Sequence, residues 1–454
     1  MSANAGTPTS GSPACLVVGG GWAGCAAAAT LALAGQRVLL LEASRQLGGR
    51  ARGLELDGLQ LDNGQHILLG AYSATLSLFK RLGIRESQAL LRLPLQMPYP
   101  PGTDGMQLAA PRLPAPLHML GALLTARGLT KQDKLAIARF HSSARWMDWI
   151  LYQDCSVAEL LERHQQTANA VRLLWRPLCL AALNTPLERA SAQVFLNVLK
   201  DSLGARRHAS DMLLPRTDLS TLFPTRAAEC VRAAGGEVRL GARVNRLARD
   251  GKDWMAHTAE GEVRASRVIL ATPPWVSAQL LAGVLEQPIP QFEYEPISTV
   301  YLRYGHDLRL ARPFYALTED PQRGHWGQFV FDRGHLDPQA GGVLAVVISA
   351  SAAATEAQAD SLSSQVATQL AQALDMPVLE RPQWTRVIHE KRATFACTPG
   401  LQRPANDLGL PALWLAGDYT ASPYPATIES SVRSALEATR LALAQSSSRT
   451  RDKA

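Results

Sequence analysis

The sequence predicts an α/β fold whose parallel sheet is assembled from distant segments, and three stretches carry that expectation. The first, CLVVGGGWAGCAAAATLALAGQRVLLLEAS, runs from Cys15 to Ser44 as strand, glycine turn, small-residue helix, second strand and terminal acid. The second, RVILATPPW (Arg267 to Trp275), is an apolar strand stopped by Pro273 and Pro274. The third, PALWLAGDYT (Pro411 to Thr420), is another short apolar strand, with a Gly-Asp turn before the helical run ATIESSVRSALEATRLALA.

In the first stretch Gly19, Gly21 and Gly24 keep the G-x-G-x-x-G spacing. The first glycine permits the tight turn, the second lets main chain approach a pyrophosphate, and the third brings helix against strand. Phosphates then face the helix amino terminus, beginning at Trp22 and Ala23. Glu42, followed by Ala43, closes the second strand where a carboxylate accepts both hydroxyls of an adenosine ribose. The same charge repels a 2′-phosphate, which disfavours NADP. Ala14 to Gln36 is uncharged and long enough to invite reading as a membrane span. Its three consecutive glycines argue against that, because they cost roughly 3 kcal/mol in a helix interior.

Composition narrows the class. A chain of 454 residues buries a large core and divides into two lobes. The net charge of +7 comes without a basic run interleaved with aromatics, which argues against nucleic acid as a partner. Cys15, Cys25, Cys155, Cys179, Cys230 and Cys397 show no C-x-x-C spacing, the pattern of buried thiols in a reducing, cytoplasmic compartment rather than of disulfides or zinc. Residues 1–13 read as a disordered lead and 446–454 as a solvated tail. No zinc, diphosphate-ionising or serine-hydrolase motif is present.

Past the acid comes LGGRAR, Leu47 to Arg52. With PALWLAGDYT, it makes the chain resemble the flavin amine oxidase and carotenoid (phytoene) desaturase superfamily. The resemblance implies FAD as cofactor, with Gly49 and Arg50 beside phosphate or flavin. It also implies Val244 at the adenine end, Gly417 and Asp418 at the ribityl chain, and Ala426, Thr427 and Ile428 presenting a helix amino terminus to the isoalloxazine. Such proteins build a Rossmann-like FAD-binding domain from discontinuous segments, expected here as 14–85, 205–275 and 385–445. A mixed α+β substrate domain takes 86–204 and 276–384, where YEPISTVYLRYG and GGVLAVVISAS read as strands.

Four further stretches resemble the hydroxysqualene dehydroxylase family, also described as squalene-associated FAD-dependent desaturases. They are LDNGQHILLGAY (Leu61 to Tyr72), LLWRPLCLAALNTP (Leu173 to Pro186), SDMLLPRTDLSTLFP (Ser210 to Pro224) and LWLAGDYTASPYPATIESSVRSA (Leu413 to Ala435). Cys25, Ser431 and Ala435 are small departures from that pattern. The resemblance implies reductive removal of the allylic hydroxyl of hydroxysqualene to give squalene, in hopanoid synthesis. Asp62, Gln65 and His66, after Gly64, are the candidate polar end, and His66 is a proton donor near neutral pH. Tyr424 is the second acid candidate. The alternatives are a turn at Asp62 and Asn63 with a merely buried His66, and a structural Tyr424.

With one nucleotide fingerprint, electrons are expected from an external donor or reductase, and prenyl synthases are pathway neighbours. The stretch APLHMLGALLTARGL (Ala115 to Leu129) reads as a core helix or as a segment dipping into the inner membrane face. Trp146 and Trp149 share a face by helical spacing, lining a tunnel, an interface or the core. A polyene desaturase running the hydride flow in reverse and a noncatalytic prenyl-lipid carrier are the competing functions.

Overall fold

The computed structural model describes residues 14–356 and 358–451. The expected lead, 1–13, lies outside them. At its centre is a five-stranded parallel sheet in the order Glu237–Arg239, Val38–Leu41, Cys15–Val18, Val268–Leu270, Leu413–Leu415. Four of these strands are short and wholly apolar, as suits a sheet covered on both faces, while the edge strand Glu237–Arg239 carries charges and is partly exposed. The helix Trp22–Leu33 is buried along nearly its whole length, between the sheet and the helices Pro224–Ala233 and Ile428–Arg451. Its alanines fit that crowding. At Gly24 no side chain fits at all, since a Cβ there would stand 1.8 Å from the Gly19 carbonyl oxygen.

The second lobe is an antiparallel sheet in the order Phe314–Ala316, Phe329–Asp332, Val343–Ser349, Tyr294–Arg303, Trp384–Phe395. Strand alternation sorts its side chains by face. Val300, Leu302, Val346 and Ile348 pack under the helix Ala359–Leu374, while Tyr301, Phe329, Phe331 and Ala345 join the main core. Helices Lys131–Trp146, Arg176–Leu183 and Ala192–Ser202 complete this lobe.

The two lobes are stitched more tightly than the expected boundaries suggest. A boundary at 385 falls inside the strand Trp384–Phe395, which pairs with Tyr294–Arg303 over most of its length. Leu68–Leu69, Leu90–Leu93 and Met212–Pro215 form one small sheet across the boundaries at 86 and 205. The solvated tail is also shortened: the last helix continues to Arg451, carried by the helix-favouring run before it, and 452–454 lie outside the described residues.

Two surface expectations change as well. The helix containing Trp146 ends there, and Trp149 adopts a left-handed conformation with φ 62°, so the two do not share a helix face. Trp146 is exposed and Trp149 buried, and neither lines the cavity described below. Ala115 to Leu129 contains the helix Leu117–Thr125, which buries His118 and Ala122 but leaves an opposite row of leucines in solvent; it is not a core helix.

Candidate functional site

One continuous cavity of about 1060 Å³ runs from the carboxyl ends of the parallel strands into the second lobe. That slightly exceeds the roughly 300–1,000 Å³ usual for a small-molecule site, which leaves room for more than one ligand moiety. Its position follows the rule that open α/β sheets bind at the carboxyl edge of their strands. Nearly every candidate residue borders it: Gly19, Gly21, Trp22, Ala23, Glu42, Ala43, Gly49, Arg50, Gly64, Gln65, His66, Val244, Gly417, Asp418, Tyr424, Ala426, Thr427 and Ile428. Gly24 and Asp62 do not, and each is explained by packing.

The glycine end presents main chain to the cavity. Gly21 caps the helix Trp22–Leu33 with no side-chain hydrogen bond, leaving its first-turn N–H groups to an anion. Gly49, at φ 62°, lies so close to Gly21 that a Cβ would come within 3.1 Å of the Gly21 Cα. Arg45, Arg50, Arg52 and Arg243 add positive charge around the same end. Glu42 is tied in place by the Gly20 and Ser44 backbone N–H groups, at 2.5 and 2.7 Å. A pyrophosphate on the glycines and a ribose at the acid fit this arrangement.

Two loops meet from opposite ends of the chain. Arg50 donates to the Asp418 carboxylate at 2.6 Å and to the Ala393 carbonyl at 2.9 Å. Asn63 binds the main chain of Arg50 and Arg52, joining the LDNGQH turn to the GGR turn. Arg403 donates to the carbonyls of Asp418, Tyr419, Ser422 and Tyr424, which fixes the turn after Gly417. Thr427 accepts the Ser430 N–H and so caps the last helix at the cavity wall. Glu429, which also borders the cavity, caps the helix Ser73–Arg81 through the Ala74 and Thr75 N–H groups. The YPATIES run therefore contains both cavity wall and structural anchor.

The catalytic candidates separate on inspection. Asp62 is 1 % exposed and lies outside the cavity, its carboxylate accepting the Leu219 N–H at 2.7 Å with Arg333 at 3.8 Å. Burial pushes its carboxyl up to about 7, against the opposing pull of Arg333. Its contacts are those of a support, which corrects the expectation of a group at the reacting end. Arg333 also donates to Gln65 Oε1 at 2.8 Å, orienting an amide that does line the cavity.

For His66, Nδ1 stands 2.7 Å from the Gly64 carbonyl oxygen. A carbonyl only accepts, so Nδ1 carries the proton and Nε2 is left as an acceptor. Burial lowers the imidazole pKa, keeping the ring neutral. The expected proton donor is thus an acceptor in this geometry. Tyr424 donates to Asp201, and burial pushes its phenol up to about 12. That bond joins the helix Ala192–Ser202 to the loop before the last helix.

Beyond these groups the wall becomes apolar, with Leu95, Met97, Phe195, Val198, Leu199 and Met212. Sequence reasoning did not find Asp201, Arg333 or Arg403. Each stands in an ordinary context, and only the distant partner gives it meaning. Among the described residues there is no cluster of metal-ligating side chains.

A dinucleotide cradle at the carboxyl edge of a parallel sheet, opening into a second lobe, defines an FAD-dependent oxidoreductase. The model of the flavin containing amine oxidoreductase family matches residues 22–443, and the chain belongs to that family. Within it, the chain is 28 % identical over 451 residues to hydroxysqualene dehydroxylase of Sinorhizobium fredii, covering 94 % of this chain and 98 % of the relative. The Rhodopseudomonas palustris hydroxysqualene dehydroxylase is 29 % identical, with the same coverage of both chains. In fold, the chain is similar to an oxidoreductase from Methanosarcina mazei with a TM-score of 0.70, 13 % identity and coverage of 94 % and 99 %.

Proposed function

We propose that the protein reductively removes the allylic hydroxyl of hydroxysqualene, giving squalene and water. The observation that carries this reading is the continuity of the glycine end with a wall to which Leu95, Met97, Phe195, Val198, Leu199 and Met212 contribute, mostly apolar with scattered polar side chains. A polyprenyl chain needs such a wall, and an allylic cation formed in it needs few competing nucleophiles. The stoichiometry is an alcohol, one proton and one hydride equivalent, yielding the alkene chain and water. Gly21, Glu42, Gly49, Arg50, Asp418 and the helix beginning at Ile428 would hold FAD, whose reduced form would supply the hydride.

The chain's own residues do the rest in this reading. His66 Nε2 accepts the hydrogen of the substrate hydroxyl and orients it. Gln65, held by Arg333, contributes its amide to the same polar corner. Tyr424, one of several hydroxyls on the wall, is the acid in this reading: its O–H, held by Asp201, turns to the leaving hydroxyl and passes the proton that lets water leave, and is reprotonated from solvent before the next turnover. The apolar wall excludes water from the cation.

The reading includes an external reductant, prenyl synthases that supply the substrate, and work at the inner membrane face; no helix among the described residues is long and apolar enough to cross a membrane. FAD-loaded protein incubated anaerobically with hydroxysqualene and dithionite is expected to form squalene. Unchanged hydroxysqualene, together with new double bonds in a carotenoid precursor under oxidising conditions, would make it a desaturase instead.

A further inference from the structure

The helix Leu117–Thr125 has two faces of opposite character. His118 and Ala122, separated by one turn, are fully buried, and the helix packs on the strand Gln107–Ala109. On the other side Leu117, Leu120 and Leu124, spaced three and four residues apart, are 50 %, 51 % and 66 % exposed, and Leu113 just before the helix is 43 % exposed. A single exposed leucine is ordinary, whereas a contiguous row of four marks a surface with a partner.

The charged residues nearest this row along the chain have one sign. Between Asp104 and Asp133 the chain carries Arg112, Arg127 and Lys131, all exposed, and no carboxylate. A leucine face whose nearest charges along the chain are cations matches the interface of an anionic bilayer, in which apolar side chains enter the acyl boundary and cations stay at the headgroups.

The row is joined to the cavity wall through one pair of strands. The strand Gln107–Ala109, on which the helix rests, pairs with Gln96–Pro98, and Leu95, Gln96 and Met97 border the cavity. His118, on the buried side, lies within electrostatic reach of Arg207 and Asp211, next to cavity residues Ser210 and Met212. Two thin layers of chain thus separate the exposed leucines from the apolar end of the site.

We infer that Leu113, Leu117, Leu120 and Leu124 dock the protein on an anionic lipid bilayer, placing the apolar end of its cavity against the membrane from which the substrate is drawn. The purpose of the docking rests on the lipid-substrate reading above. The docking itself does not.

The test uses full-length FAD-loaded protein and sedimentation with vesicles of phosphatidylcholine containing a minority of phosphatidylglycerol. Wild-type protein is expected to pellet with these vesicles, less so with pure phosphatidylcholine or at high salt. The Leu120→Glu/Leu124→Glu variant, altered only at exposed positions, should partition at least about tenfold less while keeping its flavin and its melting temperature. Wild-type protein that stays in the supernatant, or a variant that pellets equally well, overturns the inference. So does a wild-type dimer that the variant converts to monomer without any vesicle binding, because the row would then meet a second copy. Turnover on detergent-dispersed hydroxysqualene is measured separately. Its absence from both proteins would count against the substrate reading and leave the vesicle result standing.

Discussion

At one end of the cavity a ligand meets main chain; at the other it meets leucine, phenylalanine, valine and methionine side chains. The glycine end works because atoms are missing: Gly21 and Gly49 approach one another with nothing between, and Gly24 lets a helix rest on a strand. The apolar end works because atoms are present, and several side chains of similar size would serve equally. Tolerance to substitution should therefore differ sharply along one continuous cavity. An added methyl group is destructive where backbone surfaces touch, and costs little where a flexible side chain yields.

Gly24→Ala tests the steep end and carries the largest expected effect. Its new Cβ has backbone, not a movable side chain, 1.8 Å away. Helix and strand must part, and purified protein should carry almost no flavin absorbance. Val198→Ala, at the apolar end, should keep full flavin content and lose only severalfold in lipid affinity. Equal flavin content in the two variants would erase the contrast.

Arg50→Ala comes next. It leaves Asp418, 5 % exposed, without its cation and frees the Ala393 carbonyl. Because Arg50 is itself partly open to solvent, the loss in stability should be about 1–3 kcal/mol, below that for a fully buried pair. Flavin affinity, read by fluorescence titration, should fall at least about tenfold, since a one-decade change needs only 1.4 kcal/mol. A variant with weaker stability but unchanged flavin affinity would make Arg50 a structural tie alone.

His66→Ala probes the junction between the two ends. Turnover should fall at least about tenfold, within the range for loss of a positioned hydrogen-bonding group, while flavin stays bound. An unchanged rate removes His66 from the chemistry. The pH profile adds a sharper criterion: a neutral acceptor loses function as pH falls and the ring protonates, whereas a donor would lose it as pH rises.

The same contrast governs what was legible in the sequence. Gly19, Gly21 and Gly24 could be placed because a turn and two close approaches admit almost no other residue, so spacing encodes geometry. Glu42 and the Gly417–Asp418 turn were legible through their place at strand ends. The apolar arm was not, since Phe195, Val198 and Leu199 lie on a helix whose pattern any core helix would show. Polar candidates near the junction were visible as residues but not as roles. Asp62 became a support only once Arg333 and the Leu219 N–H were beside it, and His66 became an acceptor only once the Gly64 carbonyl faced Nδ1. Likewise, apolar composition in the helix Leu117–Thr125 could not say which stripe was covered.

Asp62→Asn carries the smallest expected effect and tests whether support and site are separable. The ordinary carboxyl value is 3.8, and burial raises it to about 7 in the folded protein. Below 3.8 both folded and unfolded chains hold the proton, and above 7 neither does. Between these values only the folded chain holds it, so the unfolded state binds fewer protons and stability falls as pH rises through the window. The slope from one group is at most about 1.4 kcal/mol per pH unit, and the Arg333 contact, already part of the raised value, sets how wide the window is. Asparagine can still accept the Leu219 N–H but has no proton to lose. Melting temperatures taken from pH 4 to pH 7 should therefore decline less steeply in the variant than in wild type, while flavin content at neutral pH stays the same. Parallel declines in the two proteins would mean that Asp62 stays ionised against Arg333 throughout. Lost flavin would instead return Asp62 to the working surface of the cavity.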